Sequence, residues 1–211
     1  MTLKSARWLL VAAAACAGLA GFWLAQQLDR ASPQLASGTW YPKARPIGEF
    51  RLSDTAGRPF TQADLAGAPT LVFFGFTHCP DVCPTTLVKL AQVQKQASIV
   101  GLRVVFVSVD PERDTPPVLG LYVHAFDPSF QGLTGDAAVI GRLAATFGVA
   151  VNRVDLPGGN YTMDHTAVVF LLDDAARIVA IFTPPFEVAA LMADLKRAAP
   201  YLGHAPPRSA T

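Results

Sequence analysis

The chain has 211 residues, 51% of them hydrophobic and 16% charged, a balance that excludes intrinsic disorder and solvated fibrous proteins. Residues 47–200, the expected folded part, hold eleven basic and fifteen acidic residues without a lysine or arginine cluster, which argues against nucleic-acid binding. Three cysteines are too few for a scaffold held together by disulfides. The composition therefore indicates one globular domain and a further segment.

The first segment along the chain is the uncharged, apolar stretch of residues 8–28, which follows two basic residues. As a helix it would rise about 31 Å at ~1.5 Å per residue, which matches a hydrocarbon core of about 30 Å. Trp8 and Trp23 lie near its ends, where amphipathic rings favour the membrane interface. We therefore predict one transmembrane helix, with residues 1–7 on the cytoplasmic side and the domain on the far side.

Two other interpretations of this segment stay open. One is a signal peptide that is cut near the small residues 16–20, and the other is a lipoprotein signal in which Cys16 is lipidated. An uncut anchor agrees better with the sequence because apolar residues continue past any plausible cleavage point. All three interpretations place the domain outside the cytoplasm, and the lack of an Arg- and Ser-rich presequence favours a bacterial inner membrane facing the periplasm.

The segment after the apolar stretch contains prolines and small polar residues without periodic hydrophobicity, which predicts a tether over residues 29–46. The domain of residues 47–200 follows it. Residues 201–211 are expected to form a tail. The order of apolar patterns within the domain predicts the α/β fold class, with strands mostly separated by helices.

The centre of the domain is predicted to be a strand–helix–strand unit. Apolar runs rich in Val and Phe are typical of strands covered on both faces of a parallel sheet, and they occupy residues 70–76 and 102–109. Between them, apolar residues at helical spacing predict a helix over 85–96. Further along, the same signals predict helices over 116–126, 136–147 (with Asp136 as N-cap) and 186–198, and strands over 150–155, 161–172 and 178–182.

The motif that says most about function is FFGFTHCPDVCPTTL, residues 73–87, in which Cys79 and Cys83 lie between a buried strand and a helix. Thiols at a helix N-terminus are expected to have a lowered pKa, and the i, i+4 spacing directs both sulfurs to one side. The C-x3-C spacing differs from the C-x2-C of thiol–disulfide oxidoreductases, and this favours a metal site over an oxidoreductase site. Two thiolates suit Cu(I), whereas structural zinc and iron–sulfur clusters usually need four ligands. A structural or regulatory disulfide is the alternative.

A third metal ligand should be a histidine. His165 lies in YTMDHTAVVF after a glycine-rich loop, and sites in open α/β sheets collect at strand ends and the adjoining loops. From position alone, a structural role for this residue is the more common alternative. His78 is expected to point away from its neighbour Cys79, and His124 and His204 are expected to lie on the surface.

A second polar motif, VDPERDTP, follows the strand predicted over 102–109. A solvated helix entry capped by Asp114 or Thr115 accounts for most of its residues, and a loop that supports the site or docks a partner is the alternative. Asp110, which ends the apolar strand, is the candidate for a side chain that supports the metal ligands. Asp81, between the cysteines, either orients the binding loop or faces water.

Taken together, these motifs resemble the Sco/SenC family, copper proteins that assist cytochrome c oxidase assembly. The resemblance covers residues 38–199 and is far more specific than C-x3-C alone. Its motifs occur in the family's order and spacing: FGFTHCPDVCPTTL (74–87), VSVDPERDTP (107–116), YVHAF (122–126), GLTG (132–135) and YTMDHT (161–166).

The resemblance implies a thioredoxin-like fold with an N-terminal hairpin extension and insertions. It also implies copper, as Cu(I) or Cu(II), bound by Cys79, Cys83 and His165. The implied function is that of a metallochaperone rather than an enzyme, with the copper-site subunit of cytochrome c oxidase and other periplasmic copper chaperones as partners. Some family members act instead as thiol reductants for that subunit's cysteines, so a thiol–disulfide reductase that uses the two cysteines is the alternative.

Overall fold

The computed structural model describes residues 16–23, 32–97 and 99–203. The chain divides into two units, Met1–Pro33 and Gln34–Thr211, and in the first of them residues 16–23 are helical and exposed. Among the described residues, no helix has both the length and the apolar character needed to cross a membrane. The predicted cytoplasmic segment and most of the predicted transmembrane helix lie outside the described residues.

The described part of the larger unit alternates strands and helices, as the α/β prediction requires. Short 3-10 helices occur at Gln62–Leu65, Pro157–Gly159 and Ala199–Tyr201. The α-helices are α1 (Val82–Gln96), α2 (Pro116–His124), α3 (Ala137–Phe147) and α4 (Val188–Ala198). The strands are β1 (Gly38–Pro46), β2 (Arg51–Asp54), β3 (Pro59–Thr61), β4 (Thr70–Gly75), β5 (Arg103–Ser108), β6 (Gln131–Thr134), β7 (Val151–Asp155), β8 (Tyr161–His165), β9 (Val169–Leu172) and β10 (Arg177–Phe182).

An eight-stranded sheet forms the centre of this unit, with the strand order β1-β10-β9-β4-β5-β6-β2-β3 among the described residues. β4, β5 and β6 run parallel, whereas β9 joins β4 in antiparallel orientation. Phe73, Phe74 and Phe106 on the two central strands are completely buried. The near-continuous apolar runs therefore belong to strands covered on both faces, and this part of the prediction is confirmed.

The parallel pairing of β4 and β5 determines where polar loops meet. β4 ends at Gly75 and continues into the cysteine motif, and β5 ends at Ser108 and continues into VDPERDTP. Gly75 and Ser108 are register partners, so the two loops leave the same edge of the sheet side by side. In open α/β sheets this carboxyl edge is where binding sites collect.

Two helix starts bear on the predictions. Asp136 is the predicted N-cap of α3, and its carboxylate accepts a hydrogen bond from the Val139 amide at 3.0 Å, which confirms the prediction. α1 begins at Val82 rather than at the predicted residue 85, so Cys83 lies inside the first helical turn. Pro84 is compatible with this because first-turn N–H groups have no helical acceptor.

The prediction of one strand over residues 161–172 is wrong. Tyr161–His165 forms β8, which pairs with β7 in a separate two-stranded sheet, and Val169–Leu172 forms β9 between β10 and β4. The break has a physical reason: β9 is wholly apolar and buried, whereas β8 contains polar residues and is largely half-buried or exposed. His165 is the last residue of β8 and lies three positions before the buried Val168.

The predicted tether of residues 29–46 is wrong over its second half, because residues 38–46 form β1 and pair with β10. Pro42 and Pro46 interrupt the apolar alternation, so the sequence pattern does not predict this strand. Prolines are compatible with an edge strand, which needs hydrogen bonds on one side only. β2 and β3 form a hairpin beside β6, and this agrees with the N-terminal hairpin that the family resemblance implies.

Candidate metal centre

The two cysteines of the C-x3-C motif are both free and both buried. Cys79 is 9% exposed and Cys83 is completely buried. The loop between them is closed by a hydrogen bond from the Cys83 amide to the Cys79 Sγ at 3.4 Å. This contact brings Cys79 back toward the N-terminus of α1, so both sulfurs lie at the carboxyl edge of the sheet.

The third predicted ligand, His165, reaches these sulfurs from the separate β7–β8 hairpin. Its Nε2 lies 3.5 Å from the Cys83 Sγ, and one ligand atom from each of the three residues lies within 4.8 Å of the others. The imidazole packs edge-on against Phe73 and Phe76, with ring centroids 6.2 Å and 5.9 Å away. The structure thus brings together all three residues predicted to bind metal.

The orientation of the His165 ring favours coordination through Nε2. Its Nδ1 lies 3.4 Å from the carbonyl oxygen of Thr166. A carbonyl oxygen only accepts hydrogen bonds, so this contact requires the proton on Nδ1 and leaves the Nε2 lone pair directed toward Cys83. Burial lowers the pKa of His165 below its usual 6.5, so the ring is neutral at pH 7 and available as a ligand.

The prediction that the helix N-terminus lowers the thiol pKa is wrong for Cys83. Burial raises the pKa of this thiol far above its usual value, and the nearby Cys79 adds to the rise. The partial charge of the first turn of α1 is smaller than the cost of burying a bare thiolate. Without metal, Cys83 is therefore a protonated thiol at neutral pH, and a bound cation would supply the charge that stabilises the thiolate.

This pKa makes metal binding dependent on pH. We expect the apparent Cu(I) affinity of the reduced chain to rise by about tenfold per pH unit between about pH 6 and 8 for each proton displaced. The sign follows from the pKa of Cys83, which lies above this range, so metal must displace its proton throughout. Competition titrations against a Cu(I) chelator measure the slope, and an affinity independent of pH would exclude Cys83 as a thiolate ligand.

Two carboxylates of the VDPERDTP loop, Asp110 and Asp114, are buried, contrary to the predicted solvated helix entry, whereas Glu112 and Thr115 are exposed. Asp114 is completely buried and accepts hydrogen bonds from the Thr77 amide at 3.0 Å, the Thr77 hydroxyl at 2.6 Å and the Ser108 hydroxyl at 2.6 Å. Thr115 is the N-cap of α2, without a side-chain capping bond. Asp114 thus holds the segment that carries Cys79, a role that sequence reasoning missed.

Asp110, the predicted supporting residue, is also buried. Its carboxylate accepts hydrogen bonds from the Tyr161 hydroxyl at 2.8 Å and from the Arg113 guanidinium. Burial and the hydrogen bond to Asp110 raise the pKa of Tyr161 to about 12, so the phenol remains a donor at neutral pH. Asp110 touches neither cysteine in the described contacts; it binds the strand that carries His165.

The other candidates in the described part of the chain do not belong to this group of three ligands. His78 is exposed and lies 3.0 Å from the Thr77 hydroxyl, next to carboxylates that already accept hydrogen bonds from protein donors. His124 is exposed at the end of α2, as predicted. Asp81 is exposed and accepts a hydrogen bond from the Thr85 hydroxyl at 3.3 Å. His204 lies outside the described residues.

The fold and the site together define a class of protein: a thioredoxin-like domain that holds two thiols and one imidazole at the carboxyl edge of its sheet, a donor set suited to a soft metal. The model of the SCO1/SenC family matches residues 40–200 of this chain. The chain therefore belongs to the SCO1/SenC family.

Curated relatives agree with this assignment. Protein SCO2 homolog, mitochondrial, from Bos taurus is 38% identical over 176 residues, and its human counterpart is 35% identical over 172 residues; each match covers 78% of this chain. Protein SCO1 homolog 1, mitochondrial, from Arabidopsis thaliana is 34% identical over 169 residues. The chain spans 64% of the bovine relative's length, 65% of the human and 51% of the plant relative's length.

Solved structures are similar in fold and sequence. Copper-bound ScoI from Bradyrhizobium japonicum is 43% identical, with a TM-score of 0.66, and the match covers 71% of this chain and 97% of that one. Copper-bound ScoI from Arabidopsis thaliana is 33% identical, with a TM-score of 0.68 and coverage of 73% and 98%. Apo Sco1 from Thermus thermophilus is 36% identical, with a TM-score of 0.68 and coverage of 80% and 98%.

Proposed function

We propose that this chain carries copper on Cys79, Cys83 and His165 and delivers it to the copper-site subunit of cytochrome c oxidase, where it helps build the dinuclear copper centre. The observation that carries the proposal is the convergence of two sulfurs and one imidazole nitrogen within 4.8 Å. Thiolates select soft Cu(I), and an added imidazole also suits Cu(II). The copper-bound relative that is 43% identical supports the choice of metal.

The unequal burial of the ligands suggests an order of ligand exchange during copper transfer. Cys83 is completely buried, whereas Cys79 is slightly exposed and His165 is half-buried. An incoming sulfur or imidazole of the partner therefore reaches the ion from the side of Cys79 and His165. Cys83 is then the last ligand to release the ion and regains its proton on release, which its raised pKa favours.

The proposal includes a bacterial inner-membrane location, with residues 8–28 as a single-pass anchor and the domain in the periplasm. The apolar length of this segment and the basic residues before it support the placement. In that compartment the oxidase subunit and other periplasmic copper chaperones are within reach. Protease accessibility of the domain in spheroplasts tests this part, and a domain protected until lysis would contradict it.

A thiol–disulfide reductase is the second candidate, and the proximity of two free cysteines favours it. In that reaction a thiolate of one cysteine attacks a partner disulfide, a mixed disulfide forms, and the other cysteine resolves it. The partner leaves as a dithiol and Cys79–Cys83 becomes a disulfide that another thiol must reduce. The raised pKa of Cys83 suits the resolving role rather than the attacking one.

Replacing His165 with alanine separates the two candidates. We expect Cu(II) affinity to fall by more than the 10–100-fold typical of an outer-shell change, because a direct ligand is lost. Cu(I) affinity should fall less, since two thiolates suffice for that ion. Reduction of an oxidised copper-site peptide should be unaffected, because no step of it uses the imidazole.

His124→Ala, a change at an exposed histidine at the end of α2, is the matched control and should keep wild-type copper binding. Copper titration and peptide reduction are measured on the same protein samples. If His165→Ala kept wild-type Cu(II) affinity, His165 would be excluded as a copper ligand and the reductase would be the better candidate.

A further inference from the structure

The β7–β8 hairpin carries His165 but takes no part in the main sheet. Its five residue pairs run from Val151 opposite His165 to Asp155 opposite Tyr161, so the metal ligand lies at one end of β8 and Tyr161 at the other. Most of β7 is exposed and most of β8 is half-buried. A short two-stranded ribbon of this kind is marginally stable alone, so contacts with the rest of the domain must hold it in place.

Contacts of Tyr161 and Arg153 hold the end of the hairpin that is farther from His165. The hydroxyl of Tyr161 donates to the buried Asp110 carboxylate at 2.8 Å, and its carbonyl accepts from Arg113 Nη1 at 3.0 Å. The Arg113 guanidinium carbon lies 3.8 Å from the Tyr161 ring centroid, and that of Arg153 lies 3.6 Å from it. Arg153 also pairs with Glu112 at 3.0 Å.

The partners of Tyr161 belong to the loop that also holds the cysteine segment. Arg113 pairs with Asp110 and lies 5.9 Å from the ring of Phe76, which packs against His165. One residue further along, Asp114 accepts hydrogen bonds from the amide and hydroxyl of Thr77. Residues 110–114 therefore connect the two chain segments that supply the ligands.

We propose that Tyr161, Arg113 and Asp110 form a latch that positions His165 against the cysteine sulfurs and so determines whether copper has two ligands or three. The proposal rests on copper being the metal. These three are positioning residues, since they hold β8 and touch none of the ligand atoms. A closed latch favours Cu(II), which needs the imidazole, and an open latch leaves the two sulfurs, which suffice for Cu(I).

Substitution of Tyr161 tests the latch. Tyr161→Ala removes the hydroxyl and the ring, and Tyr161→Phe removes only the hydroxyl and keeps the stacking with Arg113. In the full chain we expect Tyr161→Ala to weaken Cu(II) binding by about 10–100-fold and to reduce the nitrogen hyperfine coupling in the Cu(II) EPR spectrum. Cu(I) affinity should change by less than about threefold, and Tyr161→Phe should lie between Tyr161→Ala and wild type.

Tyr41→Ala is the matched control, because it removes another tyrosine that faces an arginine: the Arg45 guanidinium carbon lies 5.5 Å from the Tyr41 ring centroid, on β1. It should leave Cu(II) binding and its EPR spectrum unchanged. Equal weakening of Cu(I) and Cu(II) by Tyr161→Ala would indicate general damage and overturn the latch. Wild-type Cu(II) affinity and hyperfine coupling in Tyr161→Ala would also overturn it.

A measurement without copper keeps this test separate from the proposed function. Amide hydrogen exchange of residues 151–165 in the metal-free chain should become on the order of tenfold faster in Tyr161→Ala and stay unchanged in Tyr41→Ala. Unchanged exchange in Tyr161→Ala would overturn the latch even if copper binds. Faster exchange in a chain that binds no copper would support the latch as a holder of His165 and refute the carrier function alone.

Discussion

Serine in place of Cys83 should abolish copper loading of the reduced chain. Copper per chain is expected to fall from about one to nearly none, because a hydroxyl is a poor ligand for a soft ion and the remaining sulfur and imidazole do not hold it against a competing chelator. The loss of affinity should exceed the 10–100-fold typical of an outer-shell change. Anaerobic Cu(I) titration measures it.

Cys16→Ser is the matched control for this substitution, since Cys16 is exposed and lies in the other unit of the chain. It should bind copper like wild type. Because Cys83 is completely buried, Cys83→Ala is tested beside the serine variant to separate loss of the ligand from the cost of burying a hydroxyl. One tightly bound copper in either folded Cys83 variant would contradict the proposed site.

Alanine in place of Gly75, the last residue of β4, should distort the metal site by displacing the Cys83 sulfur. A Cβ at this position would lie 2.8 Å from the Cys83 Sγ and 2.8 Å from Cε2 of the buried Phe106 ring, closer than real Cβ contacts. Neither neighbour has free space, so the change should cost about 1–3 kcal/mol of unfolding free energy. It should also weaken copper binding, because the sulfur is the atom displaced.

Gly141→Ala in α3 is the control for the glycine change, since its added Cβ would meet no atom within 4 Å apart from its chain neighbours and the backbone of its own helix. That variant should be neutral or more stable by about 0.5–1 kcal/mol, as expected for replacing a glycine inside a helix. Denaturant unfolding and copper titration are compared for both variants. Wild-type copper affinity in Gly75→Ala would show that the sulfur position tolerates displacement and would weaken the case for a preformed site.

The two central strands and the cysteine pair could be predicted from the sequence because their signals are local. Apolar runs predict buried parallel strands, and the C-x3-C motif after such a run places two sulfurs at a strand end. His165 could be identified as a ligand only through the family resemblance, because it lies far from the cysteines along the chain. In the fold its Nε2 lies 3.5 Å from the Cys83 Sγ.

Other features depend on tertiary contacts and could not be predicted. The sequence predicts Asp114 as a helix cap. Its hydrogen-bond partner Thr77 is 37 positions away and becomes a neighbour only because β4 pairs with β5. The raised pKa of Cys83 depends on how deeply the core covers the first turn of α1. The break between β8 and β9 arises because only the second half of residues 161–172 pairs within the main sheet.

X-ray absorption at the copper edge of the loaded full chain tests the central claim most directly. In the Cu(II) form, wild type should give a first shell with two sulfurs and one imidazole nitrogen from the protein. His165→Ala should lose the imidazole scattering and keep both sulfurs. A wild-type shell without an imidazole, or with sulfur absent, would contradict a site made by two neighbouring thiols and a histidine brought from a distant hairpin.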